Sequence, residues 1–133
     1  MSPEPEKPME DVIRSDGRYP PEAFGFLHEG LGRAVKSVHG EETGVDPGQQ
    51  HHVTGAQLCH ALRELASERW GLLAPAVLDK WNIHATIDFG NMVYLLIRAN
   101  YMRKTETDSI EDFRDVYEFS SAFDLSNTFE LKE

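Results

Sequence analysis

Three histidines that lie close together in the sequence are the first residues whose types suggest chemistry. They are His51, His52 and His60, among six histidines in a chain of 133 residues. Zinc needs three or four ligands that converge as a tetrahedron. His60 follows His52 across a predicted junction of loop and helix, and neither a carboxylate nor a second cysteine has the spacing of a zinc motif. The sequence therefore predicts separate polar or capping histidines and no cofactor, with a metal site at these three positions as the alternative.

The single cysteine, Cys59, lies between Leu58 and His60 in a segment with helical periodicity. Neighbouring positions on a helix point in different directions, so His60 is not placed to act on the thiol of Cys59 as a base. A reactive thiol also needs an open site and a low pKa. The sequence contains no glycine-rich phosphate loop, no Ser-His-Asp pattern and no paired-carboxylate motif. It thus predicts a buried or half-buried structural cysteine and a protein without enzymatic activity.

Acidic residues are frequent near the C-terminus of a chain whose formal net charge is −10. Such a surface repels nucleic acid and anionic membranes unless basic residues are gathered into a patch, and the sequence has no basic cluster. The run from Asp108 to Glu118 lacks the glycine and the spacing of a calcium loop, so it predicts a solvated acidic edge. Together with the apolar tail, this run supplies the candidates for contact with a protein partner. They are Asp108, Asp112, Asp115, Tyr117, Phe119, Phe123, Leu125, Phe129 and Leu131.

Four helices are predicted from apolar residues that recur every three or four positions. Their ranges are 21–39, 54–70, 74–82 and 86–99. Thr54 and Gln57 have the spacing of a capping box at the start of the second helix. Asn82 is suited to the left-handed conformation that ends a helix. Thr86 is the predicted N-cap of the last helix, with Asp88 in its first turn.

Residues 74–99 are predicted to form a helix–turn–helix. The structure of residues 101–119 determines whether this helix–turn–helix is part of a winged-helix-like unit. Two stretches of aromatic and β-branched residues favour a β-hairpin, which would complete a winged-helix-like unit. The rival interpretation is a short helix capped by Ser109 and by Asp112 three residues later. The helix at 86–99 has few basic or amide side chains for reading DNA, so we interpret the helix–turn–helix as a scaffold for protein contacts. Binding of nucleic acid is the alternative.

One mainly helical domain is predicted over residues 19–119. Residues 1–18 contain three prolines and no periodicity, which is typical of a disordered or loosely docked leader. Residues 120–133 form an acidic tail that also carries apolar residues. The sequence contains no secretory signal and no apolar run long enough to span a bilayer, so it predicts a cytoplasmic protein.

Four stretches of the sequence carry a resemblance to a known family. They are Tyr19–Phe24, His52–Leu58, Trp81–Gly90 and Lys104–Phe119. Over residues 19–123 the chain resembles a small bacterial family of conserved proteins of unknown function. The resemblance implies a bacterial origin and a single domain, and it carries no activity or site residue.

The acidic balance, the missing catalytic set and the apolar tail together predict a non-catalytic protein-interaction module, an adaptor or a regulator. Its expected partner is another protein or a second copy of the chain. A nucleic-acid-binding regulator and a metal-binding protein are the two alternative interpretations.

Overall fold

Helices joined by short turns make up the part of the protein that the computed structural model describes, residues 7–39, 53–103 and 108–123. In chain order the elements are α1 (Met9–Asp16), α2 (Pro21–His39), α3 (Gly55–Trp70), a first 3-10 helix (Gly71–Leu73), α4 (Ala74–Lys80), α5 (Thr86–Arg98), a second 3-10 helix (Ile110–Phe113) and α6 (Phe119–Ala122). None of the described residues forms a β-strand. The mainly helical fold is therefore confirmed, and all four predicted helices are present within two residues at each end.

Helices α2 and α3 pack as an antiparallel pair. A Cβ atom added at Gly30 would lie only 2.2 Å from Leu62 Cδ2, so the glycine permits the close approach of the two helices. Arg33 donates two hydrogen bonds of 2.7 Å to the carboxylate of Glu68 across the pair. These charged groups are solvent-exposed, and exposed ion pairs contribute little free energy. Packing of the apolar faces therefore provides most of the stability of the pair.

Helix α5 lies at the centre of the fold. Of its residues, only Arg98 is exposed, and those that are buried are Thr86, Phe89, Gly90, Met92, Val93 and Leu96. Other elements add Leu62, Leu78 and Ile83, each no more than 1% exposed. Burial of such a side chain stabilises the fold by about 1.5–3 kcal/mol. The apolar residues that the sequence pattern assigned to this helix thus form the core.

The C-terminal segment 108–123 contains no strand, so the predicted β-hairpin and the winged-helix-like unit are not supported in the part of the chain that is described. The rival interpretation is confirmed. Ser109 Oγ accepts a hydrogen bond from the amide of Glu111, and Asp112 Oδ2 accepts one from the amide of Ser109, both at 3.1 Å. The aromatic residues that suggested strands are instead anchors that pack on helices, because strand propensity is easily overridden by packing.

Phe113 anchors this segment between α3 and α5. Its ring lies so close to Gly55 and Gly90 that an added Cβ would come within 3.0 Å of Phe113 Cε2 and 2.9 Å of Phe113 Cβ, respectively. Thr86 Oγ1 donates a hydrogen bond of 2.6 Å to the carbonyl of Phe113 and accepts one of 3.1 Å from the amide of Val116. The backbone is therefore held at two points around the buried ring.

The start of α5 differs from the prediction. The N-cap position is Ala85, and Asp88 Oδ2 accepts hydrogen bonds from the amides of His84 and Ala85 at 2.8 Å and 3.2 Å. A carboxylate there is also favoured by the helix dipole. Thr86 is not the cap, because its buried hydroxyl binds the C-terminal segment instead. The left-handed conformation predicted for Asn82 is confirmed by its φ of 66°.

Part of the predicted leader forms helix α1. Glu10 and Asp11 lie in its first turn, where the helix dipole favours acidic residues, and Gly17 ends it with a φ of 77°. Ile13 is buried against the domain, and Tyr101 donates a hydrogen bond to the carbonyl of Lys7. The sequence predicted no helix here, because one buried side chain leaves no apolar period to detect.

Candidate functional site

Polar side chains converge where the loop before α2 meets the turn between α4 and α5. The buried Tyr19 donates a hydrogen bond of 2.6 Å to Asp88 Oδ1, and Asn91 Nδ2 donates one of 3.2 Å to the Tyr19 hydroxyl oxygen. The second oxygen of Asp88 accepts from the two backbone amides that precede α5. Because both of its oxygens accept hydrogen bonds, the Asp88 carboxylate joins three chain segments: the loop before α2, the turn before α5 and α5 itself.

Burial sets the protonation state of Tyr19. Removal of the phenol from water, together with its hydrogen bond to the Asp88 carboxylate, raises the pKa of Tyr19 to about 12. The hydroxyl therefore stays protonated at neutral pH and acts as a donor. A general base must have a pKa near the working pH, so Tyr19 is unsuited to that role.

His84 forms the outer part of the same junction. Its Nδ1 lies 3.0 Å from Asp79 Oδ1, and its Nε2 lies 2.9 Å from Asn82 Oδ1. A carboxylate–histidine pair activates a nucleophile when a hydroxyl or a thiol lies at the second nitrogen. That place is taken here by an amide oxygen, which has no proton to give, while Asn82 Nδ2 donates to the carbonyl of Arg18. The arrangement fixes the turn and provides no nucleophile.

The predicted metal alternative depends on His51, His52 and His60. The first two lie outside the described residues. His60 is exposed on α3, and its ring centroid lies 5.7 Å from that of Tyr117. Within residues 7–39, 53–103 and 108–123, no group of three His, Cys, Asp or Glu side chains is placed to hold a metal ion. A metal site that includes His51 and His52 stays a prediction.

Cys59 is buried in α3, which agrees with the prediction of a buried or half-buried residue. Its burial raises the pKa of the thiol to about 12, so very little thiolate is present at neutral pH. Because the thiolate is the nucleophilic form, this cysteine is unreactive. Its backbone carbonyl accepts a hydrogen bond of 2.7 Å from the hydroxyl of Tyr117. The residue therefore contributes to packing and to the attachment of the C-terminal segment.

Most of the acidic residues of the C-terminal segment are exposed within one short stretch of the chain. This acidic edge consists of Asp108, Glu111, Asp112, Asp115 and Glu118. All but the half-buried Asp108 are exposed. Arg114 forms an ion pair with Glu111, at 2.6 Å between Nε and Oε1, and this hydrogen bond holds the pKa of Glu111 below its ordinary value. Solvation of this edge agrees with the prediction, while its contact with a partner stays a prediction.

Three aromatic residues predicted to contact a partner face the protein itself. Phe123 is only 3% exposed, and Tyr117 and Phe119 are half-buried. The ring centroid of Phe119 lies 6.2 Å from that of Phe89 and 6.0 Å from that of Phe123. These rings attach the segment to the core, so they do not form an open surface. The remaining candidates, which lie outside the described residues, are Leu125, Phe129 and Leu131.

One exposed apolar surface was missed by the reasoning from sequence. Leu72 and Leu73, on the first 3-10 helix, are 49% and 68% exposed. The available signal was their position between Gly71 and Pro75, outside the apolar periods of the helices on either side.

The comparisons with known proteins add no relative to this description. Neither the protein-family models, nor the curated proteins, nor the solved structures contain a match to the chain. The resemblance to a bacterial family therefore stays a prediction. Among the described helices, none combines the length and the apolar character needed to cross a membrane.

Proposed function

We propose that the protein is a non-catalytic protein-interaction module, an adaptor or a regulator of the bacterial cytoplasm. The observation that carries this proposal is the acidic edge, whose carboxylates, apart from that of the half-buried Asp108, are exposed while its backbone is fixed. Phe113 is held between Gly55 and Gly90, and Thr86 binds the backbone on both sides of the ring. A surface that is already ordered loses little conformational entropy when it binds.

A basic protein surface is the partner that fits this edge. Five carboxylates and a single arginine lie between Asp108 and Glu118. Arg114, the arginine, is already paired with Glu111. Complementary charge speeds association and selects among partners. The edge is therefore suited to recognition by a basic protein.

The polar junction supports a role without catalysis. Tyr19, Asp79, His84 and Asp88 are titratable groups of this junction, and each of them bonds to another group of the junction. A catalytic constellation needs a nucleophile or a base directed at an open site. The chemistry of this junction is accounted for by its structural contacts.

Nucleic-acid binding through α5 is less well supported by the geometry. A recognition helix presents a row of exposed side chains to the base edges of a groove, and Arg98 is the one exposed residue of this helix. The polar side chains of Asp88 and Asn91 bond to Tyr19 instead. Titration with duplex DNA at about 50 mM salt distinguishes the two functions, since binding that weakens steeply with added salt would favour the nucleic-acid alternative.

Neutralisation of the acidic edge tests the interaction proposal. In the double variant Asp115→Asn/Glu118→Gln, two exposed carboxylates become amides of the same shape. Asparagine also tolerates the left-handed φ of 53° at position 115. The matched control is Glu10→Gln/Glu22→Gln, which removes the same number of exposed charges elsewhere. Each protein is crosslinked in the native cell, and its partners are quantified by mass spectrometry.

We expect the wild type and the control to capture the same partner, and the edge variant to lose at least about tenfold of it, which corresponds to about 1.4 kcal/mol. The captured partner should be basic at the crosslinked surface. Equal capture by all three proteins would overturn the proposal. Partners that are acidic at the crosslinked surface would also overturn it.

A further inference from the structure

A cleft of about 480 Å³ lies between α1 and the C-terminal end of α5. Its inner wall is apolar and consists of the half-buried side chains of Val12, Leu95 and Ala99. Exposed polar side chains surround its mouth, and these are Lys7, Ser15, Arg98 and Asn100. Sites for small molecules commonly enclose about 300–1,000 Å³ and combine an apolar lining with a few polar groups. The cleft has the size and the composition of such a site.

The two walls of the cleft are attached to each other. The hydroxyl of Tyr101, in the turn that follows α5, donates a hydrogen bond to the carbonyl of Lys7, just before α1. Ile13, in the middle of α1, belongs to the hydrophobic core and is only 5% exposed. Because α1 is held at both of these points, the cleft is already formed, and a ligand spends little of its binding free energy on ordering the walls.

Two basic side chains, Lys7 and Arg98, line the cleft. In the part of the chain that the structure describes, neither of them forms an ion pair. The carboxylate that lines the cleft, that of Asp16, accepts hydrogen bonds of 2.9 Å and 3.0 Å from the guanidinium of Arg18. These hydrogen bonds, with a smaller contribution from the charge of Arg98, hold the pKa of Asp16 below its ordinary value. The cleft therefore offers positive charge in a chain whose net charge is −10.

The carbonyl groups at the end of α5 are engaged within the protein. A helix C-terminus disfavours an anion because its last carbonyls lack a partner in the helix and carry partial negative charge. Here the carbonyls of Leu96 and Ile97 accept hydrogen bonds of 2.8 Å and 3.0 Å from amides of the turn that follows. The guanidinium of Arg98 adds its positive charge in the last turn of the helix. The charges around the mouth of the cleft therefore favour an anion.

We propose that the cleft between α1 and α5 binds a small aliphatic carboxylate. The planar guanidinium of Arg98 is suited to donate two parallel hydrogen bonds to a carboxylate, and the ammonium of Lys7 adds a second positive charge. Ser15 and Asn100 supply further hydrogen-bonding groups at the mouth. The apolar inner wall covers the aliphatic chain of the ligand. No residue of the cleft belongs to the acidic edge, so this proposal goes beyond the proposed function and is independent of it.

NMR titration of the full-length protein, followed by its amide chemical shifts, tests the proposal with three probes. Hexanoate has both the carboxylate and the aliphatic chain, hexanol has the chain alone, and inorganic phosphate has the negative charge alone. The wild type is compared with Arg98→Gln, which removes a charge from an exposed side chain and keeps a good helix former. The matched control is Arg14→Gln, because Arg14 is an exposed residue of α1 that does not line the cleft. Circular dichroism melts check that each protein is folded.

We expect hexanoate to bind the wild type saturably, with a dissociation constant of about 1 mM or lower. The largest shifts should lie at the amides of residues 12–16 and 95–100, which surround the cleft. Hexanol and phosphate should each bind at least about tenfold more weakly, because each lacks one of the two parts of the ligand. Arg98→Gln should weaken hexanoate binding at least about tenfold, and Arg14→Gln should leave it unchanged.

A second variant, Ala99→Leu, fills the cleft and keeps both basic side chains. Ala99 lines the inner wall, so a larger aliphatic side chain at this position occupies the space of the ligand. Hexanoate should therefore bind Ala99→Leu at least about tenfold more weakly than the wild type. A wild type without saturable shifts around the cleft would overturn the proposal. It would also be overturned if hexanol or phosphate bound as tightly as hexanoate, or if Arg98→Gln or Ala99→Leu bound hexanoate as the wild type does.

Discussion

The α2–α3 pair and the C-terminal segment 108–123 reach an ordered structure in different ways. In the pair, the apolar face of each helix follows from residues three and four positions apart, and the capping box of Thr54 and Gln57 starts α3 from within its own sequence. The segment has no such period. Its position depends on Phe113 and on Thr86, residues 27 positions apart whose hydrogen bond crosses the fold.

This difference means that the two regions should respond differently to mutation. Regular helices distribute their stability over many apolar contacts, each worth a small share. A segment with few anchors concentrates its stability in those anchors, and each anchor should therefore be individually sensitive. Substitutions in both regions test whether the contrast is real.

The largest effect is expected from Phe113→Ala. Loss of a buried aromatic ring costs about 3–5 kcal/mol, and the ring at this position is only 5% exposed. Urea unfolding measures the loss of stability, and hydrogen exchange should show that the amides of residues 108–118 lose protection before those of α2. The control is Ile110→Ala, which truncates a half-buried side chain on the same 3-10 helix. A loss no larger than that of the control would show that the segment has other anchors.

Replacement of glycine by alanine should change the stability of the protein in opposite directions at Gly90, which contacts the C-terminal segment, and at Gly32 in the helix pair. At Gly90 an added Cβ lies 2.9 Å from three atoms of Phe113, so Gly90→Ala should destabilise the protein by about 2–3 kcal/mol. At the exposed Gly32, inside α2, an added Cβ meets nothing within 4 Å. There we expect a gain of about 0.4–1 kcal/mol, because alanine has the higher helix propensity and restricts the unfolded chain. Urea midpoints that moved in the same direction would contradict the comparison.

The helices were predictable from the sequence because the signals that form them are local. The apolar periods gave α2 and α5 within one residue at each end, and Asn82 marked the end of α4 by its tolerance of a positive φ. A hairpin was favoured for residues 101–119 because residues such as Tyr117 and Phe119 have high strand propensity, but the described residues of this range form no strand. Their actual conformation comes from contacts with α3 and α5, which no local pattern encodes.

The candidate site was less predictable than the fold. The hydrogen bond of Tyr19 to Asp88 spans 69 positions, and no spacing within either segment indicates it. Thr86 shows how a local rule can fail, since its hydroxyl suits an N-cap and a long-range contact equally well. The exposure of Leu73 depends on what other elements leave uncovered, which is a property of the tertiary structure.

Thr86→Val should have an intermediate effect. The substitution keeps the shape of a fully buried side chain and removes the hydroxyl that serves the carbonyl of Phe113 and the amide of Val116. The buried carbonyl of Phe113 and the part-buried amide of Val116 would each lose a partner, at a cost of about 1–2 kcal/mol. Thr86→Ser keeps the hydroxyl and is the matched control. Hydrogen exchange at the Val116 amide should be faster in the valine variant only, and faster exchange in the serine variant instead would assign the anchoring to the methyl group.

The smallest change in stability is expected from Glu68→Gln, which removes the ion pair with Arg33 between α2 and α3. The hydrogen bonds from Arg33 hold the pKa of Glu68 below its ordinary value, so the folded state favours the ionised form. The ion pair therefore stabilises the folded protein at neutral pH, and this stabilisation disappears as the pH falls through the range in which glutamate is protonated. Because the pair is exposed, salt screens it, and the urea midpoint should change by little more than that of the control Glu22→Gln. A clear difference at neutral pH that persisted in about 1 M salt would mean that α2 and α3 also depend on a single anchor, and the contrast with the C-terminal segment would no longer hold.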